Sequence, residues 1–176
     1  DGDELTIYSQ VTPGENVSPK AEDIRKGEKI LSKDTFIRYQ EMGLIASAGY
    51  DSVEVYRKPK IKLIITGNEL VEPTKEEIDK AKIINSNKYA IKAMIEDAGA
   101  LVSISHAGDT FDEVREEVLK ATKDYDVIMT TGGTAISKGD VVLDVVDDLG
   151  EVLFHGVAIR PGKPFGAGVI NDKMIF

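Results

Sequence analysis

From Lys60 onward, short apolar runs alternate with amphipathic stretches, and that rhythm leaves few folds open. Ile61 to Thr66 (IKLIIT) reads as a buried strand. A helix follows with Ile91, Met94, Ile95 and Ala98 on one face, capped by Asn87 and closed by Gly99. Leu101 to Ser105 is a second strand. Thr110 and Glu113 form a capping box for a helix that turns Val114 and Val118 inward. Asp126 to Thr130 (DVIMT) is a third strand, and Asp140 opens a helix with Val142, Val145, Val146 and Leu149 on one stripe, ended by Gly150. Glu151 to Ile159 returns to strand. A hairpin closes the run, turning at Asn171-Asp172. Strand–helix alternation over about 100 residues predicts an α/β domain with βαβ units, a mostly parallel sheet and right-handed crossovers.

Residues 1–57 lack this rhythm. Leu5, Ile7, Ser9 and Val11 alternate with polar neighbours, as in a half-buried strand. Thr12 to Asn16 is turn chemistry. Thr35 is placed to cap a helix from Phe36 to Ala48, ended by Gly49, and Ser52 to Tyr56 reads as a short strand. Arg57-Lys58-Pro59 reads as a linker. The second hairpin strand, Met174-Ile175-Phe176, stops in mid-run and leaves an open edge, so the chain is expected to be part of a longer protein.

Composition removes several classes of function. A net charge of −9 argues against a nucleic-acid surface, which needs clustered cations. No apolar run is long enough for a bilayer, so no membrane partner is expected. The absence of cysteine excludes thiolate metal sites and Cys nucleophiles and suits a cytoplasmic protein. With two histidines, any metal is expected to be a hard cation held by carboxylates, such as Mg²⁺.

In a parallel sheet, ligands bind at the carboxyl ends of the strands. This gathers three loops on one rim: Thr66-Gly67-Asn68-Glu69, His106-Ala107-Gly108-Asp109 and Thr130-Thr131-Gly132-Gly133-Thr134. Adjacent glycines after a buried strand let the backbone approach a ligand, and the helix opening at Asp140 offers N–H groups to an anion. The same loop also reads as a plain strand-to-helix turn, and Asp140 as a plain N-cap. Glu69, Asp109 and Asp140 are each either a metal or base candidate or a solvated charge. Together they suit Mg²⁺ or a hydroxyl-rich ligand. Arg160-Pro161-Gly162-Lys163-Pro164 carries two cations on a rigid turn, a clamp for an oxyanion or an ordinary basic turn. His155 reads as a packed strand residue, and His106 as a lesser site candidate.

Taken in order, Thr66-Gly67-Asn68-Glu69-Leu70, Asn85-Ser86-Asn87, Gly108-Asp109, Thr131-Gly132-Gly133-Thr134 and Arg160-Pro161-Gly162-Lys163-Pro164 resemble the molybdopterin molybdenumtransferase family, related to the gephyrin C-terminal region. Gly14-Glu15-Asn16 and Ala21-Glu22-Asp23-Ile24 resemble its upstream segment. The resemblance implies a three-layer αβα molybdopterin-binding domain over residues 58–176, an elongated dimerisation segment over 20–57, and the end of an inserted β domain over 1–19. A C-terminal β domain would be absent. It implies adenylated molybdopterin and molybdate as substrates, Mg²⁺ at Glu69, Asp109 and Asp140, and release of AMP. Catalytic roles would fall on Asp140, Glu69, Asp109, Arg160, Lys163 and Asp23. Pterin binding would fall on Thr131, Gly132, Gly133, Thr134, Gly67, Asn68, Asn87 and Ser137. Partners would be a second copy of the chain, with Asp23 approaching its cleft, and the pathway's adenylyltransferase. Where the family loop carries Ser and an acid, this chain has Ala135 and Lys138. Arg160 stands at a usual Lys, and Gly156 where many members carry Lys. Two other readings stay open: a molybdopterin adenylyltransferase-like enzyme, and a non-catalytic pterin-binding or scaffold module.

Overall fold

The computed structural model describes all residues except 1, 5, 7, 75, 78 and 133–139. They fall into two compact units, Asp1–Val55 and Tyr56–Phe176.

In the first unit the helix α1 spans Tyr39–Ser47, three residues shorter at its start than the sequence suggests. Thr35 does not cap it, because its hydroxyl donates to Ser32 O at 2.8 Å within a preceding turn. Arg38 takes the cap position instead: its N–H donates to Glu41 Oε2 at 2.8 Å and its guanidinium to Oε1 at 2.7 Å. The hydrogen bond from the Arg38 side chain pulls the Glu41 carboxyl down to about 2. Gly49 ends the helix in the left-handed region, as expected. Thr6 and Tyr8 to Val11 form no strand, and Leu5 and Ile7 lie outside the described residues. Residues 52–56, expected as a strand, are irregular. Alternation alone does not make a strand; a ladder of paired neighbours does.

In the second unit the order is β1 (Lys60–Thr66), β2 (Leu70–Val71), β3 (Ile83–Ile84), α2 (Ser86–Asp97), β4 (Leu101–Ala107), α3 (Phe111–Asp124), β5 (Val127–Thr131), α4 (Val141–Leu149), β6 (Glu151–His155), β7 (Gly166–Ile170) and β8 (Lys173–Ile175). The main sheet runs β4-β1-β5-β8-β7-β6. Its first four strands are mutually parallel, while β7 is antiparallel to both neighbours. Asn171 and Asp172, both at positive φ, make the primed turn that suits the twist of the β7–β8 hairpin. β2 and β3 pair apart from the main sheet.

Ile64, Ile128, Ile170 and Ile175 pack with Val114 and Val118 of α3 and Val145 and Val146 of α4 to form the core. Full burial of such a side chain stabilises by about 1.5–3 kcal/mol. Leu63 and Ile65, equally buried, alternate to the other face of the sheet. There α2, carrying buried Ile95, packs on β1 and β4. Helices therefore cover both faces in three layers, as the alternating pattern implied.

Two local expectations change. The cap of α2 is Asn85, whose Oδ1 accepts from Lys88 N at 3.1 Å; Asn87 lies inside the helix. The sixth strand stops at His155, not Ile159, because Gly156 takes a φ of 89° and Pro161 and Pro164 offer no N–H to a ladder. Gly156 N still donates to Phe165 O at 2.8 Å, and Val157 N to Lys163 O at 3.0 Å.

Candidate functional site

Register puts the loops together. Thr66 at the end of β1 pairs with Ala107 at the end of β4, and Ile65 with Thr131 at the end of β5. Three strand ends thus reach one rim. Asn68 N–H donates to Asp109 Oδ2 at 3.0 Å, tying the loop after β1 to the loop after β4. Gly132 sits at φ 107°, where a Cβ would lie 2.1 Å from Thr66 O. The backbone at Gly132 therefore passes directly over the end of β1, which only glycine permits. Thr130 N–H and Oγ1 both donate to Phe176 O, at 2.7 and 3.0 Å, extending the pairing of β5 with the last strand. Thr131 and Gly132 border the resulting cavity. Gly133, Thr134, Ser137, Ala135 and Lys138 lie outside the described residues.

The cavity has a volume of about 460 Å³ and lies among the ends of β5 and β6, the start of α4 and the β6–β7 connection. Asp140 is half-buried at its edge. Its Oδ1 accepts from Val142 N and Leu143 N at 3.1 and 3.2 Å, which satisfies two free N–H groups of α4. Its Oδ2 lies 3.3 Å from His155 Nε2. Asp140 is thus a cap and a cavity residue at once. His155, read from its strand as a packed residue, instead has a side chain 42% exposed and borders the cavity. Asn87 borders it too, from α2.

Glu69 and Asp109 lie in the loops that follow β1 and β4. Glu69 is exposed in the turn after β1, and its carboxylate lies beside Gly67, where a Cβ would meet it at 2.9 Å. Asp109 is exposed. Among the described residues no three His, Asp or Glu side chains are grouped as a metal site, so Glu69, Asp109 and Asp140 do not converge on one point. Arg160 and Lys163 are exposed beyond β6 and make no ion pair among the described residues. Asp23 is exposed in an irregular stretch of the first unit.

One cluster escaped the sequence. Glu72 accepts from Lys88 Nζ at 2.5 Å and Tyr89 OH at 2.6 Å, with His106 Nε2 at 3.8 Å. The bond from Lys88 is the main cause holding the Glu72 carboxyl below its usual range. His106 therefore belongs with this α2 cluster. The residues are far apart in sequence and share no motif. The aromatic side of the cavity is Phe154, Phe165 and Phe176, which share no motif, although Phe165 directly follows the Arg160–Pro164 turn. Thr66 Oγ1, Asn85 Nδ2 and Ser105 Oγ are buried and find no hydrogen-bond partner among the described residues, and Thr66 and Asn85 each begin or end a segment bordering the site.

Residues 62–176 match the family model described as a probable molybdopterin binding domain, and residues 1–49 match the MoeA N-terminal region (domain I and II). A putative molybdopterin biosynthesis protein of Methanocaldococcus jannaschii is 37% identical over 182 residues, covering 99% of this chain and 46% of that relative. The molybdopterin molybdenumtransferase of Bacillus subtilis is 35% identical over 174 residues, covering 98% of this chain and 40% of the relative. The chain spans less than half the length of these relatives. Among solved structures, a molybdopterin biosynthesis MoeA protein from Pyrococcus horikosii superposes with a TM-score of 0.75 at 34% identity, covering 88% of this chain and 38% of that one.

Proposed function

The chain belongs to the probable molybdopterin binding domain family, and from that premise we propose that it is part of a molybdopterin molybdenumtransferase. The full-length protein would take adenylated molybdopterin and molybdate, hydrolyse the adenylate with water to release AMP, and place molybdenum on the dithiolene. The observation that carries this reading is the rim itself: Gly132 folded onto Thr66 beside an Asp140-capped helix, with the cavity opening between them. The backbone at Gly132 suits close approach of the phosphates of such a substrate, and the Arg160/Lys163 turn suits molybdate. The match of residues 1–49 to the MoeA N-terminal region favours this enzyme over a single-domain adenylyltransferase.

Mg²⁺ fits this donor set with help from substrate. Magnesium is commonly held by one or two carboxylates plus substrate phosphate oxygens, and Glu69 and Asp109 would be its protein ligands. When bound, it would neutralise charge on the phosphates. Asp140 has both oxygens engaged, by α4 and by His155, which suits it to orienting and electrostatic work. In the same reading the mature protein is a cytoplasmic homodimer in which residues 1–19 end an inserted β domain and residues 20–57 form the dimerisation segment. Asp23 enters the partner's cleft, and the adenylyltransferase of the pathway delivers the substrate.

The test uses full-length protein, adenylated molybdopterin, molybdate and Mg²⁺, with AMP release as the measurement. Asn caps a helix about as well as Asp, so Asp140→Asn should fold normally while turnover falls about 100-fold. Unchanged turnover in that variant would remove the proposed acidic role. Pterin binding without AMP release from the wild type would make the protein a binding module.

A further inference from the structure

Among the described residues, the turn that carries Glu69 has little backbone pairing to hold it. It leads into β2, which pairs with β3 over two residues on each side, apart from the main sheet. So short a ladder is marginal by itself. Burial adds little on the β3 side, where Ile83 and Ile84 keep 60% and 42% of their surface exposed. Side chains fix the segment instead. At its start, Lys82 Nζ donates to Asn68 O at 2.8 Å, while Asn68 N–H donates to Asp109. At its end, the Glu72 carboxylate accepts from Lys88 Nζ at 2.5 Å and from Tyr89 OH at 2.6 Å. Both donors stand in the first turn of α2, a helix anchored by its buried cap Asn85 and by buried Ile95. His106 Nε2 flanks the same carboxylate from β4 at 3.8 Å. Between the two clamps, Ile83 N–H donates to Glu69 O and Asn85 N–H to Val71 O, both at 2.9 Å. The Glu69 backbone is thus a rung of the ladder whose far end Glu72 ties to α2.

We propose that Glu72 is a positioning residue for Glu69, gripped by Lys88 and Tyr89 so that the β2–β3 pair keeps the Glu69 carboxylate in one place on the rim. The inference rests on the reading of Glu69 as a site residue of a molybdenumtransferase. The Glu72 side chain is 52% exposed, and an exposed ion pair contributes little to stability. Two charge-assisted or hydroxyl donors meeting one carboxylate do fix a direction, and a small displacement of a site residue costs rate without costing the fold.

The test uses the full-length protein and two readouts. Hydrogen exchange at the Ile83 amide, whose acceptor is Glu69 O, reports on the Glu69 backbone directly. AMP release from adenylated molybdopterin, with molybdate and Mg²⁺, reports on the carboxylate. Glu72→Ala should speed exchange at Ile83 about tenfold and slow AMP release about tenfold, with its thermal midpoint within about 3 °C of the wild type. Glu72→Gln keeps an acceptor for Tyr89 and Lys88 and should restore both readouts. In a Glu69→Gln background, read in single turnovers, Glu72→Ala should slow AMP release by less than about twofold, because the group it positions is gone. Wild-type exchange at Ile83 in Glu72→Ala overturns the proposal. So does an equal loss of AMP release in both backgrounds, the mark of a merely structural role. Where Glu69→Gln releases no measurable AMP, the presence or absence of rescue by Glu72→Gln decides. Where Glu72→Ala does not fold, Lys88→Met combined with Tyr89→Phe removes the same grip and takes its place. Wild-type turnover with unaltered exchange in the variants sinks this inference alone, and faster exchange in Glu72→Ala without wild-type turnover sinks the enzymatic reading alone.

Discussion

At the residue scale, glycines with similar backbone angles do different work. Gly99 and Gly132 both lie at positive φ, but a Cβ at Gly99 meets nothing within 4 Å, whereas at Gly132 it meets Thr66 O at 2.1 Å. Gly132→Ala should therefore cost at least about 2 kcal/mol, from strain and from the displaced loop, against about 1 kcal/mol for Gly99→Ala. Denaturant midpoints measure both, and equal losses would mean that the close approach to β1 is unimportant. The sequence marked Gly132 as special because it stands beside Gly133, but it could not say what the glycine avoids. Asp140 was legible as a cap, and the structure adds that it borders the cavity. The place of His155 was not legible, since its apolar neighbours in EVLFH gave it the look of a core position, and only the fold brings β6 alongside the start of α4.

At the scale of elements, caps and clamps set where each segment begins. The α2 boundary is the clearest case. Asn85→Ala should lose about 1 kcal/mol because it removes the acceptor for Lys88 N–H, while Asn87→Ala, inside the helix, should stay within about 0.5 kcal/mol. The reverse order would restore Asn87 as the cap. Asn85, Ser86 and Asn87 are all good starting residues, and the choice falls to Asn85 because its N–H also pairs with Val71 O at 2.9 Å. The start of β1 is clamped by Arg57, whose guanidinium donates twice to Asp126 at 2.6 Å, with Lys60 N–H adding a third bond at 2.8 Å. The Arg57 hydrogen bonds, then that of Lys60, hold the Asp126 carboxyl far below its usual range. A depressed carboxylate contributes stability above its unfolded pKa of about 3.9 and loses it as pH falls through the folded value. Thermal midpoints should therefore drop below about pH 4, and Asp126→Asn should flatten that drop. The pair is exposed, so the effect should be small and shrink further in high salt. A linker was all that Arg57-Lys58-Pro59 suggested, because the partner is 69 residues away.

For the whole molecule, the proposed dimer makes a direct prediction. If Asp23 of one subunit serves the Asp140 cleft of the other, Asp23→Ala and Asp140→Asn proteins should each be weak in AMP release. Mixed and re-equilibrated, they should regain part of the wild-type rate, because one heterodimer site would be intact. No recovery in a mixture proven to exchange subunits would confine each site to one chain. The sequence by itself determined the α/β class, the parallel strands, most helix ends and the rim that carries Glu69, Asp109 and Asp140. Periodicity and caps are local signals, and right-handed βαβ crossovers leave parallel strand ends on one side. The tertiary structure alone decided that these carboxylates stay apart, that His155 backs onto Asp140, and that Phe154, Phe165 and Phe176 line one cavity. The closing of the cavity depends on the pairing of β5 with β8, strands distant along the chain that become neighbours in the sheet. Such proximity is set by packing between elements, and no local pattern within any one of them records it.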